Sequence, residues 1–171
     1  MTDERSTPTI TVVEGDITEQ RVDAIVNAAN RAMRGGGGVD GAIHRAGGPE
    51  ILADCIRRFP DGLATGDAGA TTAGDLAAEH VIHVVGPNRT AGETDRGLLV
   101  SCYRRALEVA DGLGVRSIAF PLVSAGVYGW PKPDAIRAAI DTIRATPTRV
   151  KDVRIVAFDA ATRIQVAEAL G

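Results

Sequence analysis

Cysteine is scarce in this 171-residue chain. Cys55 and Cys102 stand alone, without CxxC spacing, which argues for two reduced thiols and against a disulfide framework or a zinc site. No His, Cys and acid cluster has metal-ligand spacing, so neither a metal nor a redox cofactor is expected. Long apolar runs are missing: nothing approaches the ~20 residues of a transmembrane span. Met1 to Pro8 is polar, carries both charge signs and lacks the pattern of a signal peptide; the expectation is a disordered N-terminal tail over residues 1–8 of a cytoplasmic protein. An excess of positive charge is missing too. The formal net charge is −3, which argues against the basic surface that nonspecific nucleic-acid binding needs.

What remains is an ordinary globular composition, 44% hydrophobic and 24% charged, of a length that suits one domain. Short apolar runs alternate with helical patterns. Strands are expected at Thr9 to Val13, Ala24 to Asn27, Ala70 to Ala73, Val81 to Val85, Ser117 to Phe120 and Val153 to Phe158. Helices are expected at Gly41 to Ala46, Pro49 to Arg58, Arg96 to Leu113, Pro133 to Ala145 and Ala160 to Leu170. Such alternation predicts an α/β layer fold with a largely parallel sheet and no internal boundary. Sheets of this kind bind ligands in the crevice beyond the carboxyl ends of their strands.

Two unusual loops fall at that crevice. In the first, the run Ala24-Ile25-Val26 stops at Asn27-Ala28-Ala29-Asn30, four glycines follow at Gly35 to Gly38, and Val39-Asp40 leads into a helix carrying His44. Ordering four glycines costs backbone entropy, which makes sense where backbone must approach a ligand. Glycine-rich backbone entering a helix presents N–H groups to an anion. The second loop, Ser124-Ala125-Gly126-Val127-Tyr128-Gly129, follows another strand and has the same small-residue character. It is not a nucleophile elbow, because Leu122 stands where that motif needs glycine. No Gly-Lys-Ser/Thr follows the four glycines, which excludes a P-loop.

Each notable side chain also has a plain structural reading. Asp16 can cap a short helical turn. Asn27 and Asn30 can satisfy turn backbone, or offer amides to sugar hydroxyls. Asp40 can be a helix N-cap or first-turn acid, and His44, four residues on, shares its helix face. Tyr128 and Phe158 can be core, Trp130 can pack beside Pro131 and Pro133, His83 suits a structural place inside its strand, and His80 suits the surface.

Read together, Gly15-Asp16-Ile17-Thr18, Val26 to Asn30, Gly35 to His44, Thr65-Gly66-Asp67-Ala68, Val81 to Pro87 and Ser124 to Pro131 stand in the order found in the macrodomain family. From Ile10 to Leu170 the chain resembles its MacroD-type branch. The resemblance implies a single macrodomain over residues 9–171, a mixed, largely parallel sheet sandwiched between helices. It implies that ADP-ribose is bound with Asp16 on the adenine amino group, the Ile17 backbone at the ring and Phe158 stacked on it. Gly36, Gly37, Gly38 and Val39 from one loop, and Ser124, Ala125, Gly126 and Val127 from the other, would hold the pyrophosphate. Asn30 would sit at the distal ribose with Asn27 in support and Tyr128 above it. Asp40 would place or activate a water, supported by His44.

The activity so implied is a cofactor-free hydrolase that removes ADP-ribose from Asp or Glu side chains, with O-acetyl-ADP-ribose as a second substrate. The alternative is a noncatalytic ADP-ribose reader, which would not need Asp40. The paired glutamates of the poly(ADP-ribose) glycohydrolase pattern are absent. Lys132 and Lys151, the only lysines, are not near the expected site, which sets aside a lysine-dependent branch. Gly47-Gly48 replaces the commoner Ala-Gly, and the segment from Asn88 to Arg96 is unusually polar, so the rim contacts that select a target are expected to differ.

Overall fold

The computed structural model describes residues 4–171. Six strands form one sheet: β1 (Thr9–Glu14), β2 (Ala24–Ala29), β3 (Ala68–Thr72), β4 (His80–Val85), β5 (Ser117–Phe120) and β6 (Asp152–Ala157). Their spatial order is β1-β6-β5-β2-β4-β3. All neighbours are parallel except β3, which runs antiparallel to β4 at one edge. The helices are α1 (Gly38–Gly47), α2 (Pro49–Arg58), α3 (Arg96–Leu113), α4 (Lys132–Ala145) and α5 (Ala160–Leu170).

Parallel strands need crossovers, and crossover helices cover both faces of the sheet. Strand β2 shows the consequence. Ala24 and Val26 pack with α3, α4 and α5 on one face, while Ile25 and Ala29 pack with α1 and α2 on the other. The larger core fills the first face, where Leu99, Tyr103 and Leu107 of α3 and Ile136, Ile140 and Ile143 of α4 are buried. Helix ends follow local chemistry. Asp95 caps α3, accepting from the Gly97 N–H at 2.9 Å, and Gly114 ends that helix at φ +72°. Asp159 caps α5 through the Thr162 N–H at 2.8 Å. Trp130 is buried, and its Nε1–H donates to Asp134 of α4 at 2.9 Å.

Most expected elements are present, with four corrections. Helix α1 begins at Gly38 rather than Gly41, and its cap is the glycine Gly37. Strand β3 begins two residues earlier than expected, at Ala68, and ends one earlier, at Thr72. A short 3-10 turn, Arg89–Ala91, sits in the polar segment that carried no helical periodicity, and the side chain of Asn88 caps it. The disordered tail is not free over its whole length. Ser6 exchanges two backbone hydrogen bonds with Thr148, at 2.9 and 3.2 Å, and Pro8 is buried. Residues 1–3 lie outside the described part. Among the described residues no helix is long and apolar enough to cross a membrane.

Asp54 fastens α2 to the β3 edge. Its buried carboxylate accepts from the Thr72 N–H at 2.8 Å and from Arg58 Nε at 2.9 Å, and it pairs with Arg57. Burial alone would raise its pKa, but the Thr72 amide and the two arginines outweigh it and hold it at about 2, below the usual 3.8. A depressed carboxylate pKa adds stability above the unfolded value and loses it as pH falls through the folded one. Urea unfolding of wild type and Asp54→Asn should therefore diverge by about 1 kcal/mol at neutral pH, a figure reduced for the solvent-screened arginines. The two should converge between pH 4 and 2, roughly the window those pKa values set.

Candidate active site

The parallel arrangement puts the carboxyl ends of β1, β6, β5 and β2 along one edge of the sheet. A cleft of about 410 Å³ opens there between the β2 and β5 ends. Asn30, Gly36, Gly37, Gly38, Val39 and Asp40 form one wall, and Ser124, Gly126, Val127 and Tyr128 face them. None of the lining residues is Lys or Arg. Helix α1 has no side-chain cap, and its first hydrogen bond to the cap is Gly41 N–H to Gly37 at 3.2 Å. The N–H groups before Gly41 are thus without helical acceptors and sit on the cleft wall. Across the cleft, among the described residues, no protein acceptor takes the N–H of Gly126, Val127 or Tyr128. The cleft therefore suits an anion held by backbone dipoles rather than by cationic side chains.

Close backbone approaches explain two glycines. A Cβ on Gly41 would lie 2.5 Å from the Gly36 carbonyl oxygen, so only glycine lets the loop fold down onto α1. A Cβ on Gly86, after β4, would lie 2.3 Å from Ser124 Oγ. Ser124 itself is held at φ +66°, and its buried Oγ has no partner among the described residues. A left-handed backbone and an unsatisfied buried hydroxyl thus coincide in one residue of the cleft wall.

Beneath the cleft floor lies a buried polar network. Residues 27 and 83 are paired across β2 and β4, and both point toward α1 and α2. Asn27 Nδ2 donates to Asp40 Oδ1 at 2.7 Å and approaches His83 Nδ1 at 3.0 Å. His83 Nε2 lies 2.8 Å from Thr71 Oγ1, which in turn donates to the Thr72 carbonyl. With the Asn27 amide donating to both neighbours, His83 carries its proton on Nε2, while the buried Asn27 Oδ1 is left without a partner among the described residues. Burial, and then the nearby His44, push the His83 pKa down to about 3, so the ring is neutral. Cys55 Sγ, 3.8 Å from the same Nε2, is itself pushed up to about 11, chiefly by burial, and stays a thiol. From the other side His44 Nε2 stands 3.3 Å from Asp40 Oδ1.

The expected residues thus separate into three groups. Asn30, Asp40, Tyr128 and the two glycine loops meet in the cleft, except that Ala125 does not line it and packs against the core instead. Asn27 and His44 lie behind it and hold Asp40; the network adds His83 and Thr71, whose part no motif announced. Asp16, Ile17 and Phe158 are not in the cleft but follow β1 and β6, the next strands along the same edge. Asp16 does cap the 3-10 turn Ile17–Glu19, accepting from Thr18 N–H at 2.9 Å, and Ile17 is buried. Phe158 is 93% exposed, so the reading of it as core is wrong. Asp40 is not a helix cap; one carboxylate oxygen already serves Asn27 and His44. Asn30 does carry the turn chemistry open to it, accepting from Met33 N–H at 3.2 Å and donating to the Gly35 carbonyl at 3.1 Å.

An α/β sheet with an anion-accepting cleft between two glycine loops, and a buried carboxylate at its base, defines the class. Comparison with known proteins gives the family. The Macro domain family model matches residues 26–139. A macro domain-containing protein of Streptomyces coelicolor is 57% identical over 166 residues, covering 95% of this chain and 98% of that protein. A Pantoea vagans protein named O-acetyl-ADP-ribose deacetylase 1 is 48% identical over 157 residues, covering 88% and 92%. The solved Trypanosoma brucei macrodomain in complex with ADP-ribose is 38% identical, with a TM-score of 0.87 over 95% of this chain and 69% of that one. This chain belongs to the macro domain family.

The network makes its own prediction. In a nitrogen-15 NMR titration, His83 should remain neutral, protonated on Nε2, down to about pH 3. Its folded pKa lies below the unfolded 6.5, so this residue leaves the fold at full strength above pH 6.5 and weakens it as pH falls toward 3. Detection of an Nδ1-bound proton at neutral pH would contradict the arrangement.

Proposed function

We propose that this protein binds ADP-ribose and hydrolyses esters on its distal ribose, releasing the sugar from ADP-ribosylated Asp or Glu side chains and, as a second substrate, from O-acetyl-ADP-ribose. The observation that carries this is the position of Asp40. Its buried carboxylate is fixed by Asn27 and His44 at the base of the cleft framed by the two glycine loops. A relative named for deacetylation of O-acetyl-ADP-ribose supports the ester chemistry.

In this reading the pyrophosphate lies between the unpaired N–H groups of Gly37 to Val39 and those of Gly126 to Tyr128. The distal ribose lies against Asn30 and under Tyr128. The adenine extends toward the β1 and β6 ends, with Asp16 at its amino group, the Ile17 backbone at the ring and Phe158 on its face. Asp40 accepts a hydrogen bond from the attacking water and orients it. Water adds across the ester: one product is the carboxylic acid, which loses its proton to solvent, and the other is ADP-ribose with a free hydroxyl. No covalent enzyme intermediate is required.

Two substitutions test the reading. Asp40→Asn keeps the shape and an oxygen for Asn27 while removing charge and basicity. Turnover of an ester-linked ADP-ribose substrate should fall by ~10²–10⁴, the range for a positioned acid or base. ADP-ribose affinity by calorimetry should persist. Binding by wild type without turnover would leave a reader module, and near-wild-type turnover by the variant would remove Asp40 from the chemistry. Phe158→Ala should weaken ADP-ribose binding by ~1–3 kcal/mol if the ring stacks on adenine, with an unchanged melting temperature because the side chain buries nothing in the free fold. Unaltered affinity would return adenine recognition to other groups.

A further inference from the structure

A second cavity, of about 340 Å³, lies behind the first. Asn30, Gly86 and Tyr128 belong to both and form the partition between them. Its polar lining also includes Arg31, Thr65, Asn88 and Glu93. Arg31 Nη1 donates to Glu93 Oε2 at 2.7 Å and to Thr65 Oγ1 at 3.1 Å. Glu93 Oε1 accepts from the Asn88 N–H at 2.8 Å. That amide first, and then Arg31, hold the Glu93 carboxyl below its usual range. The Arg31 side chain is 65% exposed. An ion pair this open adds little to stability. It does set guanidinium donors and carboxylate acceptors side by side on the lip of a cavity. The wall is also continuous with the ribose side: Thr90 donates from its N–H to the Tyr128 carbonyl at 3.1 Å and from Oγ1 to the Val127 carbonyl at 3.1 Å.

We infer that this cavity is the acyl-side subsite, and that it takes the peptide backbone flanking an ADP-ribosylated acidic residue. The inference rests on the function proposed above, in which the distal ribose meets Asn30 and Tyr128. An ester on that ribose projects its acyl group across the partition. An acetyl group ends after two carbons, has no N–H, and leaves the space beside Arg31 and Glu93 unfilled. A peptide continues from the modified side chain to amide N–H and C=O groups in alternation. Glu93 accepts from the one and Arg31 donates to the other, without requiring a charge on the peptide. The polar segment from Asn88 to Glu93 is then the part of the chain that separates a protein substrate from a small metabolite.

The test compares two esters on wild type, Arg31→Ala and Glu93→Gln: O-acetyl-ADP-ribose, and a synthetic peptide carrying ADP-ribose on one glutamate. For Arg31→Ala the KM of the peptide should rise about tenfold, as for loss of one charge-assisted hydrogen bond. Glu93→Gln, which keeps one acceptor oxygen, should lose less. In both variants ADP-ribose affinity and acetyl-ester turnover should stay within about twofold of wild type, less than the loss of a single hydrogen bond. Equal losses on both esters would overturn the subsite, because the pair would then merely brace Asn30 and Tyr128. Unchanged kinetics on both would overturn it as well. Wild type that binds no ADP-ribose, or cleaves neither ester, would overturn the proposed function and the subsite together, and is distinguished by needing no variant.

Discussion

One amide holds this site together. Asn27 stands where β2 is still sheet and α1 has come within reach, and its Nδ2 group donates to Asp40 on one side and to His83 on the other. Without that fork, Asp40 would be a buried carboxylate left with His44 alone among the described side chains. With it, the acid is fixed to the most rigid part of the molecule. The fork in turn depends on register. Pairing of residue 27 with residue 83 puts both side chains on the α1 face. A one-residue slip would send them into the apolar core under α3 and α4.

The sheet order distributes the rest. The two glycine loops follow β2 and β5, which are neighbours, so they can face each other across a single cleft. β6 and β1 continue the same edge and carry Phe158 and Asp16 outward from it. A long ligand can thus lie along the strand ends, with one recognition element supplied by each successive loop. Close packing is confined to the middle of this edge. There Gly86 makes room for Ser124 and Gly41 makes room for the Gly36 carbonyl, while the outer end offers an exposed ring and a capping carboxylate.

Much of this was legible in the sequence for identifiable reasons. Strand and helix positions followed from apolar runs and helical spacing, and the crevice followed from two glycine-punctuated loops falling after strands. Boundaries were less legible where glycine carries no periodic signal: α1 starts inside the glycine run, three residues before the apolar pattern begins. His83 was read only as structural, Cys55 only as a lone thiol, and Thr71 was not singled out, because their partners come from distant strands and helices and no local spacing records a cross-sheet register. The Arg31–Glu93 bridge was invisible for the same reason, although the polarity of its segment was plain. Asp40 was identified by position; of its two local readings, first-turn acid holds and N-cap does not, because α1 starts at Gly38 with Gly37 as its cap and leaves Asp40 inside the first turn.

Trp130 is the chain's sole indole. It closes the second glycine loop through its own N–H to Ser124, at 2.9 Å, and is pinned to α4 by Asp134, which also accepts from Arg96 of α3. The fluorophore therefore sits at the end of the very loop that lines the cleft, its ring against the core and its N–H on a carboxylate. Any rearrangement of Ser124 to Tyr128 alters the surroundings of a single emitter, with no second tryptophan to dilute the signal. The molecule carries its own optical gauge of cleft occupancy.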